Sequence, residues 1–118
     1  MFNDTLLDHF KNPRNAGDLP DASATVEVTN PVCGDVLRLS ARVEAGRIAE
    51  ARFKTQGCVA AIAASSVLTE LLVGKTAREL KTITPEGISA ALGGLPPATF
   101  HAAQLCEDAV KALAAKLG

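Results

Sequence analysis

The spacing of apolar positions changes along this chain, and each change marks a new element. Near the start, Leu6, Leu7 and Phe10 recur at helical spacing behind Asn3 and Asp4, either of which can cap a helix; Pro13 should end it. The stretch 12–23 is rich in Gly, Pro, Asn and Asp and reads as a loop. The period then drops to two. Val26 and Val28 alternate with Thr25, Glu27 and Thr29; Leu37, Leu39, Ala41 and Val43 alternate with Arg38, Ser40 and Arg42. Ala49, Ala51 and Phe53 alternate with Glu50, Arg52 and Lys54. These are half-buried strands with one apolar and one charged face. Ala45-Gly46 supplies a hairpin turn between the second and third, so an antiparallel sheet with one face needing cover is expected.

Helices can provide that cover. The stretch 59–73 is apolar almost all round, which predicts a buried helix, and Gly74 suits its C-terminal end. Thr76 and Glu79 form a capping box for a short helix through Lys81. Thr84 followed by Pro85 opens another short helix, closed near Gly93-Gly94. After Leu95-Pro96-Pro97 a final helix runs close to Leu117, with Cys106, Ala109, Val110, Leu113 and Leu117 as its apolar stripe. Strands followed by helices predict an α+β fold: a three-stranded antiparallel sheet covered on one face by helices, in a single domain over 1–118.

Composition narrows the function. Hydrophobic residues make up 47% and charged residues 21%, as in ordinary globular domains. A formal net charge of -1 provides no global field for nucleic acid or anionic membrane, and with 3% aromatics there is little for single strands to stack on. No apolar run approaches the roughly 20 residues of a membrane span. The N-terminus lacks a basic segment leading into an apolar one, so no signal peptide is expected and a cytoplasmic setting is. An odd number of cysteines, 3, argues against a complete disulfide framework and leaves metal binding, catalysis or burial.

The candidate chemistry falls at element boundaries. Cys33, in Asn30-Pro31-Val32-Cys33-Gly34-Asp35, precedes the second strand. Cys58, in Gln56-Gly57-Cys58, stands where the third strand meets the buried helix, and His101 lies in the first turns of the last helix. Such boundaries at one end of a sheet can converge. Soft thiolates with an imidazole suit zinc or an iron–sulfur cluster. A helix N-terminus lowers a thiol pKa, which is expected for Cys58. Gly34 and Gly57 let the backbone pass close to a metal or partner. Plainer roles compete: burial for the cysteines, a turn or cap for Asp35, a solvent-facing position for His101. No Cys-x-x-Cys pair is present, and spacing alone leaves a metal site undecided. His9 is expected to be exposed and without chemistry. Arg38, Arg42, Arg52 and Lys54 read as the solvated sheet face. Gly74-Lys75-Thr76 lacks the earlier glycine of a phosphate loop and reads as a helix end and cap.

A set of motifs in order resembles the IscU/NifU family of iron–sulfur cluster assembly scaffolds. These are Asn12-Pro13-Arg14-Asn15-Ala16-Gly17; Cys33-Gly34-Asp35; Phe53-Lys54-Thr55-Gln56-Gly57-Cys58 with Ala61-Ile62-Ala63-Ala64-Ser65-Ser66; Gly74-Lys75-Thr76; and Leu95-Pro96-Pro97-Ala98-Thr99-Phe100-His101 with Glu107-Asp108-Ala109. The resemblance implies an IscU/SufE-like α/β sandwich and a scaffold, not an enzyme. It would hold a transient [2Fe–2S] cluster, or zinc at rest, through Cys33, Asp35, Cys58 and His101. It also implies a cysteine desulfurase as sulfur donor and iron–sulfur recipient proteins as acceptors, and leaves self-association open.

The chain departs from the family at one ligand. Ala102 stands where the family has a third cysteine, a ligand and often the sulfur acceptor, and Cys106 lies four residues on. On a helix that is the same face, roughly 6 Å further along. Either Cys106 replaces the lost ligand, or it is a small hydrophobe of the core stripe. Val59 and Ala60 stand where the family prefers Gly and Ser, predicting a drier pocket. Thr99 takes the place of the lysine in the motif read by an Hsp70-type chaperone, which speaks against that partner. Two alternatives to the scaffold are a SufU-like zinc-dependent sulfurtransferase and a degenerate relative acting as an interaction module. The first suffers from the presence of His101 and a chain too short for the SufU insertion. Ala102 motivates the second.

Overall fold

The computed structural model describes residues 2–32 and 34–118. Helix α1 (Asp4–Lys11) is followed by strands β1 (Ala24–Thr29), β2 (Val36–Glu44) and β3 (Arg47–Gln56), and then by helix α2 (Val59–Leu72). A 3-10 turn at Arg78–Thr82, helix α3 (Pro85–Ala91), a second 3-10 turn at Pro97–Thr99 and helix α4 (His101–Leu117) complete the chain. The strands form an antiparallel sheet in the order β1-β2-β3. The fold is α+β, as expected.

Alternation decides which sheet face is covered. Val26, Leu39 and Phe53 stand in one cross-strand row; Ala24, Ala41 and Ala51 form another, and all are buried under the helices. A register shift at Arg42/Val43 pairs Val43 with Ile48, and Ile48 joins the core at 2% exposure while Ala49 does not. A bulge changes which residue faces inward, a shift that simple alternation does not show. The opposite face carries Arg38, Arg42, Arg52 and Lys54, each paired with acidic neighbours: Asp18 serves Arg38 and Lys54, Glu50 serves Arg42 and Arg52, and Asp21 and Glu44 also serve Arg42. It is a neutralised solvent face.

Helix α2 is the centre of the molecule. Ala60, Ala61, Ala63, Ala64, Val67, Leu68 and Leu72 are buried on several sides of it, packed between the sheet and the other helices. Its small residues let neighbouring backbones come close. Residues 15–17 run beside β3, with Gly17 N–H on Phe53 O at 2.8 Å and Phe53 N–H on Asn15 O at 3.0 Å. At the far end of β3, Gly74 N–H and Lys75 O bond Ile48. Segments that read as loops therefore cover the β3 edge, which would otherwise be open to pairing. The Thr76–Glu79 capping box is present in both directions, but the turn it starts is 3-10 and ends at Thr82. Gly74 follows α2 with φ +90, as a helix-ending glycine should.

His9 departs from expectation. It is 6% exposed: Nδ1 is 2.8 Å from Ser66 Oγ, and Nε2 is 3.6 Å from a Glu70 carboxylate oxygen. Ser66 Oγ also accepts the Arg14 N–H at 2.9 Å. Burial first, and the nearby Arg14 charge second, push the imidazole pKa down despite Glu70. A short amphipathic helix on its own would leave His9 in water; docking on α2 buries it.

Candidate metal centre

Three chain segments meet at one end of the sheet. Asp35 is the last residue before β2. Its loop is folded by Asn30 N–H on Asp35 O and Gly34 N–H on Asn30 O, both 2.8 Å, and by Val32 N–H on Asn30 Oδ1 at 2.9 Å. Gly34 has φ +76, a conformation glycine takes without strain. Cys58 caps α2: its backbone is extended, and its sulfur accepts the Ala61 N–H at 3.4 Å. His101 is the first residue of α4, directly after the 3-10 turn at Pro97–Thr99 and Phe100.

Their donor atoms converge. Cys58 Sγ donates to Asp35 Oδ2 at 3.4 Å and lies 3.9 Å from His101 Nε2. His101 Nε2 is 3.8 Å from the same carboxylate oxygen. One donor atom from each residue lies within 4.8 Å of the others. Asp35 is 6% exposed, and Cys58 lies at the surface with its sulfur partly shielded. The arrangement is therefore a shallow site with a shielded carboxylate at its floor and a thiol at its mouth. One thiolate, one imidazole and one carboxylate oxygen this close form a donor set that fits a transition-metal ion or an iron centre.

Cys58 behaves differently from the expectation drawn from its helix terminus. Its pKa is raised, not lowered. Partial burial is the largest cause, and the Asp35 carboxylate adds to it; the Ala61 N–H pulls the other way and is outweighed. Without a bound cation the thiol form is favoured, so metal binding here must displace a proton.

Cys106 lies elsewhere. It is 0% exposed, as is Ala102 one turn before it, and its thiol lies near Ser65 and outside the Asp35–Cys58–His101 group. Burial pushes its pKa up to about 12. Ser65 Oγ in turn donates to Ala61 O at 2.7 Å and is 2.8 Å from Thr55 Oγ1, so the hydroxyl ties α2 to β3 beside Cys106 of α4. Nothing in the spacing pointed to Ser65, because Thr55 and Cys106 come near it from other elements. Cys33 lies outside the described residues.

The sequence profile of the NifU-like N terminal domain matches residues 1–117. The chain belongs to this family. Among relatives of this NifU-like chain, the iron-sulfur cluster assembly scaffold protein IscU of Azotobacter vinelandii is 47% identical over 116 residues, covering 94% of this chain and 89% of that one. The scaffold protein IscU 1 of Archaeoglobus fulgidus is 45% identical over 111 residues, covering 94% and 72%. A crystal structure from Fervidobacterium islandicum, described as a cluster assembly scaffold for the SUF system, superposes with a TM-score of 0.79 over 94% of each chain. At 19% identity it shows a shared fold. No helix among the described residues of this NifU-like chain is long and apolar enough to cross a membrane.

Proposed function

We propose that this chain is a scaffold on which a transient [2Fe–2S] cluster is assembled and from which it is handed on. The observation that carries the reading is the convergence of Cys58, His101 and Asp35 from three separate elements, with donor atoms within 4.8 Å, in a chain of this family. Cys33, two positions before Asp35 in the sequence, is assigned as the second thiolate. A [2Fe–2S] centre is held by protein ligands that are usually thiolates, with imidazole able to replace them. Cys33, Cys58, His101 and Asp35 complete such a set without Cys106 or the cysteine missing at Ala102. Among these, the carboxylate is the hard donor on a soft centre, which favours release of the cargo. The chain carries and releases the cluster and catalyses no bond change of its own.

Iron and sulfide are cargo in this reading. The sulfide donor is a cysteine desulfurase, the acceptors are apo iron–sulfur proteins, and the setting is a reducing cytoplasm that keeps the thiols free. The same Cys, His and carboxylate set also suits zinc, which would hold the site closed at rest.

Anaerobic reconstitution with iron and sulfide tests the proposal. The expected result is thiolate-to-iron absorption with about two irons and two sulfides per cluster, lost in Cys58→Ala and in Cys33→Ala and transferable to an apo-ferredoxin. Bound zinc with sulfur uptake and no cluster would replace it with a sulfurtransferase. No metal under either condition would leave an interaction module.

A further inference from the structure

Gly57 stands directly before Cys58, and the space its missing side chain leaves is filled by Asp35. A Cβ at Gly57 would lie 2.6 Å from Cγ, 2.7 Å from Oδ1 and 3.0 Å from Cβ of Asp35. Those are its three nearest neighbours, and all belong to one side chain. Gly57 does not have a positive φ, so a left-handed backbone is not what calls for glycine there. Gly34 is the opposite case: φ +76 and nothing within 4 Å of a built Cβ. One glycine near the site is required by conformation, the other by space.

Asp35 has little freedom to yield. It is 6% exposed, its carbonyl is held by Asn30 N–H at 2.8 Å, and the next residue, Val36, is paired with both Thr29 and Gln56. Its backbone is thus pinned by a loop bond and two strands. With that backbone pinned, a methyl group on residue 57 drives the carboxyl group to turn about the Asp35 side-chain torsions. That motion takes Oδ2 away from Cys58 Sγ and His101 Nε2.

We propose that Gly57 is a positioning residue: the missing side chain at 57 is what lets the Asp35 carboxylate stand beside Cys58 and His101 as an oxygen donor. The proposal rests on reading these residues as a metal site. It concerns how the oxygen is placed, not whether the thiolate binds.

Cobalt is a suitable probe, because its thiolate charge-transfer and d–d bands report the donor set directly. Anaerobic titration of the apo-protein with Co²⁺ should give both bands in the wild type. Gly57→Ala should weaken binding by about tenfold or more, the usual cost of losing an orienting partner, and shift the d–d bands to the pattern of Asp35→Ala. Added to Asp35→Gly, which clears the space, Gly57→Ala should cause no further loss. Wild-type affinity and spectrum in Gly57→Ala would overturn the proposal, and so would losses that multiply in the double variant. If Gly57→Ala alone does not fold, recovery of the Asp35→Gly melting temperature in the double variant supports the steric pair, and failure to recover overturns it. Absence of thiolate–cobalt bands in the wild type would refute the metal reading instead. The Gly57–Asp35 pair would then be judged by whether the thermal cost of Gly57→Ala disappears in Asp35→Gly.

Discussion

The thiol of Cys58 lies 3.4 Å from Asp35 Oδ2 and donates to it. A helix N-terminus favours a thiolate, but a half-shielded sulfur beside a carboxylate is held as the thiol, and here the second effect wins. Removing the carboxylate should therefore make Cys58 more acidic. In Asp35→Ala, alkylation of Cys58 by iodoacetamide, followed peptide by peptide, should reach half its maximal rate at a lower pH than in wild type. An unchanged profile would mean that burial alone sets the pKa.

Cys106 should behave as a core residue. It is fully buried near Ser65 and held as a thiol, its pKa pushed up to about 12 by burial. Cys106→Ala is expected to cost about 1–2 kcal/mol in urea unfolding, the scale of a small buried truncation. It should leave iron and sulfide per chain unchanged after reconstitution. Native Cys106 should also resist alkylation under conditions that modify Cys58. Loss of the cluster in Cys106→Ala would instead make it the replacement ligand for the position of Ala102.

Acid should loosen α1 from α2. Burial and Arg14 lower the pKa of His9 in the folded protein, so the unfolded chain binds that proton more tightly. The contribution is complete above the ordinary histidine value of about 6.5. It is lost as pH falls through that value, until the lower pKa of the folded protein is passed. His9→Gln should flatten the decline in stability just below pH about 6.5, measured as the pH dependence of the urea midpoint. A slope unchanged by the substitution would place the acid sensitivity in other groups.

The hairpin between β2 and β3 contains an avoidable strain. Ala45 has φ 52 and Gly46 φ 80, both left-handed, as a two-residue hairpin turn requires. A left-handed alanine costs roughly 1–2 kcal/mol. Ala45→Asn, a residue that tolerates this conformation, should raise stability by about 0.5–1 kcal/mol without changing metal binding. Destabilisation would show that the turn relaxes to another form in solution.

Much of this architecture could be read from the chain. Period-two stretches marked the strands because one sheet face is dry and the other wet. Capping pairs such as Thr76 and Glu79 marked helix starts because their bonds close within a few residues. The boundary positions of Asp35, Cys58 and His101 were visible for the same reason, and family motifs gathered them. Local chemistry, written over short distances, is what a sequence displays.

Tertiary structure decided the rest, because the deciding contacts join residues far apart in the chain. Whether His9 is wet or buried depended on α2 presenting Ser66 and Glu70 to it. The direction of the Cys58 shift depended first on the burial of its sulfur in the assembled fold and then on Asp35 arriving from just before β2. Cys106 and Ala102 share a helix face in either reading, but only packing against α2 turned that face into the core and away from the site. Gly57 could be read as a permissive glycine; that its empty space belongs to Asp35 follows only from how two strands of the sheet come together.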